Sequence, residues 1–378
     1  MSEKLNILYV CPDAELGGST RSLFALIDTV KGEVNPIVLL PLKGAAYEYC
    51  VEHGIECVVR KYEPLFMRYH TWSDVLLHPW HARPMKLIRF NMTCAIFMLK
   101  YLRGRKIDIV HTNYSLATIG ETLASLLHAK HVWHIREYGQ VHFGFEIYGG
   151  EKRLSRKLNN ADARIAISTA LKEYWHLKDE KTWVILNAVR STADACYRKD
   201  KEKYFAFISG SLMDAKGTRD AVVAFAKSGV AKDGYMLKLI GACTEEYRRS
   251  LDETIREYRV ADSVEYVPLQ KDVKPYLEKA TGYIMASKFE GMGRTTAEAM
   301  FYGCPVIAHA SGGTLDMVKE GETGYLFETV DECAAKIRKV SAEPQEQVIH
   351  NAQQFAVENL SKEQYGERIM NVYKSVMQ

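Results

Sequence analysis

The sequence predicts an α/β protein of two doubly wound parallel-sheet domains facing each other across a cleft. Three observations carry this. Short, continuously apolar β-branched runs alternate with longer helical patterns from end to end, which is the signature of parallel strands covered on both faces by helices. The alternation breaks only once, over 187–203, and then restarts. In each half, a glycine-bearing turn joins a strand to a helix, and ligands of such sheets bind in the crevice outside the carboxyl ends of the strands.

In the first half the predicted strands are 6–11, 36–40, 56–60, 108–112, 131–135, 163–167 and 184–186, and the clearest helical patterns are 20–30, 85–103, 116–127 and 169–177. The polar, poorly periodic NAVRSTADACYRKDKEK over 187–203 reads as a linker. Beyond it come strands 204–209, 235–240, 264–267, 282–285 and 305–308, with helices 220–228, 245–259, 273–279, 295–302 and 332–340.

A chain of 378 residues, 47% hydrophobic and 26% charged, suits two globular domains with large cores. Its longest apolar runs, such as 92–99, fall far short of the ~20 residues a membrane helix needs. Residues 1–4 lead directly into an apolar strand, so no signal peptide is expected. Eight scattered cysteines without a CxxC pair fit reduced thiols in the cytoplasm rather than a disulfide frame or a zinc site. Net charge is only +3, yet 60–106 holds ten basic residues against Glu63 and Asp74, so this stretch carries +8 and the rest −5. Interleaved with Phe66, Tyr69, Trp72, Trp80, Phe90 and Phe97, it reads either as a solvated face or as a surface for phosphates or anionic lipid at the inner face of a membrane.

The densest chemistry is SKFEGMGRTTAEAMFY over 287–302. A strand ends, Gly291 and Gly293 allow a tight turn, and a helix runs to the stop at Gly303. Free N–H groups and the positive dipole end of such a helix suit a diphosphate. Glu290 and Glu298 flank that cradle. Carboxylates there would repel phosphate but would accept hydrogen bonds from sugar and ribose hydroxyls. Two exposed acids on a strand–turn–helix is the bland alternative. Lys216 opens another loop-to-helix junction, where an ammonium reaches phosphate oxygens. Gly17-Gly18-Ser19-Thr20 forms a third turn, without the GxGxxG spacing of a dinucleotide site. His128, His131 and His134 lack an HExxH partner motif, so no metal is expected.

These features, in order, resemble glycosyltransferase family 4, retaining nucleotide-sugar enzymes of the GT-B fold. The resemblance runs through Gly17-Gly18, AISTAL over 166–171, Asn187, the Gly210…Lys216-Gly217 loop, 237–241, Glu290-x7-Glu298, Gly303-x-Pro305-Val306 and Gly321-x-x-Gly324. It implies two Rossmann-like domains: 1–190 on the acceptor side and 191–360 binding the donor, with a helix at about 361–378 packing back on the first. It implies that Lys216 binds the donor diphosphate, that Gly291, Met292, Gly293, Arg294 and Thr295 line the donor, that Glu290 holds the transferred sugar and that Glu298 holds the ribose. Gly18 would face the phosphates or the acceptor from the first domain, with Gly17, Asn113 and Arg136 on the acceptor side. His134 matches a histidine placed beside the reacting sugar, although Ile135 stands where the family usually has aspartate. Ser211 stands where the family has a diphosphate-binding arginine, and Arg294, opening the facing helix, is positioned to replace it.

The expected activity is therefore metal-free transfer of a sugar from a UDP- or GDP-linked donor to a saccharide or lipid-linked saccharide. The expected protein is a cytoplasmic enzyme, peripheral to the membrane through 60–106, with no cofactor and no nucleic-acid partner. A sugar phosphorylase or nucleotide-sugar epimerase of the same fold would act with phosphate or with no acceptor. A non-catalytic sugar-nucleotide module would bind donor without turnover. A glycosidase using Glu290 and Glu298 would need no nucleotide sugar.

Overall fold

The structure is a computed structural model, and it describes residues 4–67, 83–139 and 146–378. Arg68, Tyr69, Trp72, Asp74 and Trp80 of the basic stretch lie outside them. The chain divides into two compact units: residues 1–186 with 365–378, and residues 187–364.

Along the chain the strands are β1 (Leu5–Val10), β2 (Val34–Leu40), β3 (Glu56–Val59), β4 (Phe66–Met67), β5 (Ile109–Thr112), β6 (Lys130–Ile135), β7 (Glu146–Ile147), β8 (Ala163–Ala166), β9 (Thr182–Val184), β10 (Glu202–Ser211), β11 (Met236–Ala242), β12 (Val264–Val267), β13 (Ala280–Met285), β14 (Val306–His309) and β15 (Tyr325–Phe327). Among the described residues, the first unit holds a seven-stranded sheet in the order β3-β2-β1-β5-β6-β8-β9, and the second a six-stranded sheet, β12-β11-β10-β13-β14-β15. Every pairing within these two sheets is parallel. Counted from its own first strand, the second sheet runs 3-2-1-4-5-6, the doubly wound order. Each sheet therefore has one point where strand order reverses: β1/β5 in the first unit and β10/β13 in the second.

Both sheets are doubly covered, as their apolar runs require. Ile7, Leu8, Tyr9 and Val10 of β1 are all fully buried, and the second core gathers Phe205, Phe207, Leu239 and Ile284 from its strands against Phe225 and Ile337. Helices found beyond those expected are Ala45–Glu52, Glu151–Asn159 and Glu346–Leu360. Glu151–Asn159 (EKRLSRKLN) offers only Leu154 and Leu158 as an apolar stripe, too sparse a periodicity to read. The 187–203 segment is less plain than a linker: Thr192–Asp194 forms a 3-10 turn capped by Ser191, and β10 has begun by Glu202.

Candidate functional site

Strand β10 ends at Gly210-Ser211 and β13 at Met285, so both deliver their following loops to the second unit's switch point. A pocket of roughly 190 Å³ lies there. Ser209, Gly210, Lys216, Ser287, Glu290, Gly293, Arg294 and Thr295 are among its lining residues. The loop bearing Lys216 is held close by Gly217, whose φ is +74° and whose absent Cβ would stand 2.2 Å from the Ala286 carbonyl oxygen. No other residue permits both the left-handed backbone and that approach. The helix Arg294–Phe301 starts after Gly293, φ +85°, with no side-chain cap, and its amino-terminal end opens at this pocket, which Gly293, Arg294 and Thr295 line.

Within the pocket Lys216 Nζ donates to Glu290 Oε1 at 2.7 Å, both side chains partly exposed. Ser287 is buried, and its hydroxyl has no partner in the structure. A buried hydroxyl left without a hydrogen bond is costly unless something fills the role. Sequence reading passed over Ser287, a common residue type at a strand end. Met292 is also buried, and its sulfur accepts from the Asn187 N–H at 3.0 Å. Its side chain is thus committed to the fold, which leaves only its backbone for a donor.

Glu298 differs from Glu290 in kind. It is 7% exposed, and its Oε1 lies 3.0 Å from Arg190 Nη2 and 3.7 Å from Arg294 Nε. Burial raises its pKa, and the two guanidinium charges oppose that shift. Arg190 also donates through Nε to the Tyr302 hydroxyl and stacks on that ring at 5.7 Å. Arg190 sits inside the segment read as a linker, where nothing in its spacing signalled a partner. Arg294 lines the pocket while reaching toward Glu298 and the Val189 carbonyl.

The first unit presents a separate cluster at the ends of β5 and β6. Arg136 Nε donates to Asn113 Oδ1 at 2.8 Å, and Asn113 Nδ2 donates to the Ser19 carbonyl at 2.9 Å, tying together the expected acceptor-side residues. Arg136 Nη2 is 3.3 Å from His134 Nδ1, and His111 Nε2 is 3.2 Å from the same atom. Arginine only donates, so His134 Nδ1 accepts and the ring proton sits on Nε2, which has no partner. The Tyr373 hydroxyl then donates to His111 Nδ1 at 2.9 Å. Burial, reinforced by the Arg136 charge, pushes both histidines well below the usual range, so both are neutral. His134 was expected beside a reacting sugar; here the ring is fully buried beneath His111 and Arg136. Gly18, expected against the phosphates or the acceptor, lies in a turn that carries an acid. The Asp13 carboxylate stands by this turn, 3.6 Å from where a Gly17 Cβ would be, whereas the Gly18 Cβ position is open.

Two family models match adjoining stretches: "Glycosyltransferase Family 4" over 48–192 and "Glycosyl transferases group 1" over 189–355. An uncharacterized glycosyltransferase of Haemophilus influenzae is 27% identical over half of this chain and 54% of its own length. The N-acetyl-alpha-D-glucosaminyl L-malate synthase of Bacillus anthracis is 22% identical over 76% of this chain and 78% of its own. Among solved structures, Anabaena HepE in complex with UDP superposes with a TM-score of 0.78 at 18% identity, over 98% of this chain and all of that one. A glycosyltransferase from Rickettsia africae superposes with a TM-score of 0.78 at 17% identity, covering 100% and 99%. At these identities the superpositions establish fold. The two doubly wound units have the GT-B fold of these glycosyltransferases. The chain is a glycosyltransferase of the family 4 type, its family 4 and group 1 matches together running from residue 48 to residue 355.

Proposed function

We propose that this chain transfers a sugar from a UDP- or GDP-linked donor to a saccharide or lipid-linked saccharide in glycan synthesis, with retention of configuration and without a metal. The observation that carries the reading is the pocket at the β10/β13 switch point. It combines a lysine, an uncapped helix entrance, an unpartnered buried hydroxyl and the Glu290 carboxylate, with Glu298 one turn further along the same helix. Lys216 and the first N–H groups of Arg294–Phe301 neutralise the departing diphosphate, the charge that grows most in the transition state. Glu290, once Lys216 turns to phosphate, accepts from hydroxyls of the transferred sugar. Glu298, fixed by Arg190, accepts from the ribose, and Ser287 donates into the same pocket.

Uridine is favoured because HepE is also solved with UDP-glucose. Retention is supported by the resemblance and by α products in the names of the Bacillus anthracis synthase and a Bacillus subtilis poly(glycerol-phosphate) alpha-glucosyltransferase. UDP-glucose is itself an α-glucoside, so an α product preserves configuration. A cytoplasmic setting fits eight unpaired thiols, of which burial pushes Cys11, Cys94 and Cys304 up to about 12. The test is calorimetric titration of UDP, GDP and ADP in EDTA, followed by donor turnover in the same buffer. One nucleotide binding and its sugar being consumed without metal is the expected result. Binding or turnover that returns only with magnesium or manganese overturns the metal-free reading, and no nucleotide binding at all overturns the assignment.

A further inference from the structure

The helix Arg83–Tyr101 packs Cys94, Ala95 and Met98 into the first unit's core. Beside that buried face it exposes a second apolar one. Met85, Ile88, Met92 and Ile96 are each more than half exposed, at 57%, 55%, 58% and 53%. Their spacings of three, four and four residues place them in one line along the helix, roughly 17 Å long at 1.5 Å per residue. Four aligned large apolar side chains in water are a costly arrangement that a monomer rarely carries without use.

Charge says what covers them. Lys86, Arg89 and Lys100 project on the shoulder of this line away from the core, all exposed. The helix contains no acid anywhere in RPMKLIRFNMTCAIFMLKY. A protein partner would be matched by mixed charge, whereas an apolar ridge with a purely basic shoulder matches the acyl–headgroup boundary of an anionic bilayer. The helix is too polar to cross one. The geometry points to docking of the first unit on an anionic membrane surface, with Met85, Ile88, Met92 and Ile96 lying in the boundary and the three bases against lipid phosphate. This goes beyond the donor assignment and is independent of it.

The test is co-sedimentation of the full chain with phosphatidylcholine vesicles and with vesicles of equal parts phosphatidylcholine and phosphatidylglycerol. Binding to the anionic vesicles at low salt, falling as salt rises, is the expected result. Ile88→Asp/Met92→Asp abolishes it, and Lys86→Gln/Arg89→Gln/Lys100→Gln lowers the partition about fivefold per charge removed. All five positions are exposed, so thermal midpoints and nucleoside diphosphate binding stay at wild-type values. That binding also reads the donor site separately, so failure of one assignment is distinguishable from failure of the other. Equal binding to neutral vesicles, no binding at low salt, or an aspartate variant that still binds overturns the proposal. A concentration-dependent dimer that Met92→Asp dissolves, without vesicle binding, overturns it in favour of a second copy on this face.

Discussion

The two sheets reverse strand order at equivalent points, yet the loops gathered there carry opposite chemistry. At the β1/β5 point of the first unit the turn before helix Gly18–Val30 holds Asp13, half-buried and raised by that burial. Asp13 is already engaged, accepting from the Glu15 N–H at 2.8 Å and the Thr20 hydroxyl at 3.2 Å. At the β10/β13 point of the second unit the corresponding loops bring Lys216, Arg294 and the unpartnered Ser287 into one pocket. Topology therefore decides where a ligand sits, and side-chain charge decides which ligand. At the second point Lys216 and Arg294 outnumber Glu290, which fits the proposed diphosphate; at the first, Asp13 beside the glycines fits a proposed hydroxyl acceptor.

The largest effect should come from dividing the Lys216–Glu290 pair. Lys216→Ala removes positive charge from the leaving group and should cut turnover about 10²- to 10³-fold, with weaker nucleoside diphosphate binding. Glu290→Gln should cost turnover comparably but act in the opposite direction on the nucleotide. In the free protein Glu290 holds the ammonium at 2.7 Å, and a partly exposed pair of this kind is worth about 0.2–1 kcal/mol. Releasing it should tighten UDP or GDP binding by about 1.4-fold to fivefold. Calorimetry on the two variants decides. Equal weakening in both would mean that Glu290 serves the nucleotide and not the sugar.

Much of this was legible in the sequence, for reasons that particular residues make plain. Strand 264–267 is read to the residue, and β1, β2 and β6 to within two, because β-branched and aromatic residues recur in each run. The three-residue β15 and the helix Glu151–Asn159 offer too little pattern to register. In the site, glycines and carboxylates at fixed offsets announced Glu290, Lys216 and Glu298. Arg190, Ser287 and Glu137 did not announce themselves, because their significance lies in what faces them. Arg190 meets Glu298 from 108 positions away in the chain, and Ser287 matters only because its hydroxyl is buried without a partner.

Glu137 offers a way to perturb the first unit alone. It is fully buried, accepts from the Ser115 N–H at 2.7 Å and from the Ser115 hydroxyl, and burial pushes its pKa from 4.5 up to about 7. Between those values the folded chain binds more protons than the unfolded one, so stability declines as pH rises from about 4.5 to about 7. The full loss is about 3 kcal/mol. Glu137→Gln keeps an oxygen for Ser115 without the charge, and should flatten that decline and stabilise the unit at pH 8. All five tryptophans (72, 80, 133, 175 and 183) fall within residues 1–186, so urea unfolding followed by tryptophan fluorescence reports this unit. Donor-site affinity should not change. An unaltered pH slope in Glu137→Gln would show that the carboxyl stays charged when buried.

The smallest effect tests how the second unit manages with Ser211 where the family resemblance implies an arginine. Arg294 lines the pocket and lies 3.7 Å from Glu298, but Arg190 holds the same carboxylate oxygen at 3.0 Å. Removing Arg294 therefore leaves Glu298 paired. The structural loss should include one partly exposed i,i+4 pair, about 0.3–0.5 kcal/mol, and the 3.4 Å hydrogen bond to the Val189 carbonyl, visible as a modest change in unfolding midpoint. Any larger effect on catalysis must then come from charge withdrawn from the diphosphate. Arg294→Ala should lower turnover about tenfold, about 1.4 kcal/mol in barrier, with stability nearly intact. Ser211→Arg in that background should recover part of the loss, because Ser211 directly follows Ser209 and Gly210, which line the same pocket. Turnover within twofold of the parent in Arg294→Ala would assign the leaving-group charge to Lys216 and the helix entrance alone. Recovery by Ser211→Lys as full as by Ser211→Arg would show that the site needs a charge there rather than the planar fork of a guanidinium.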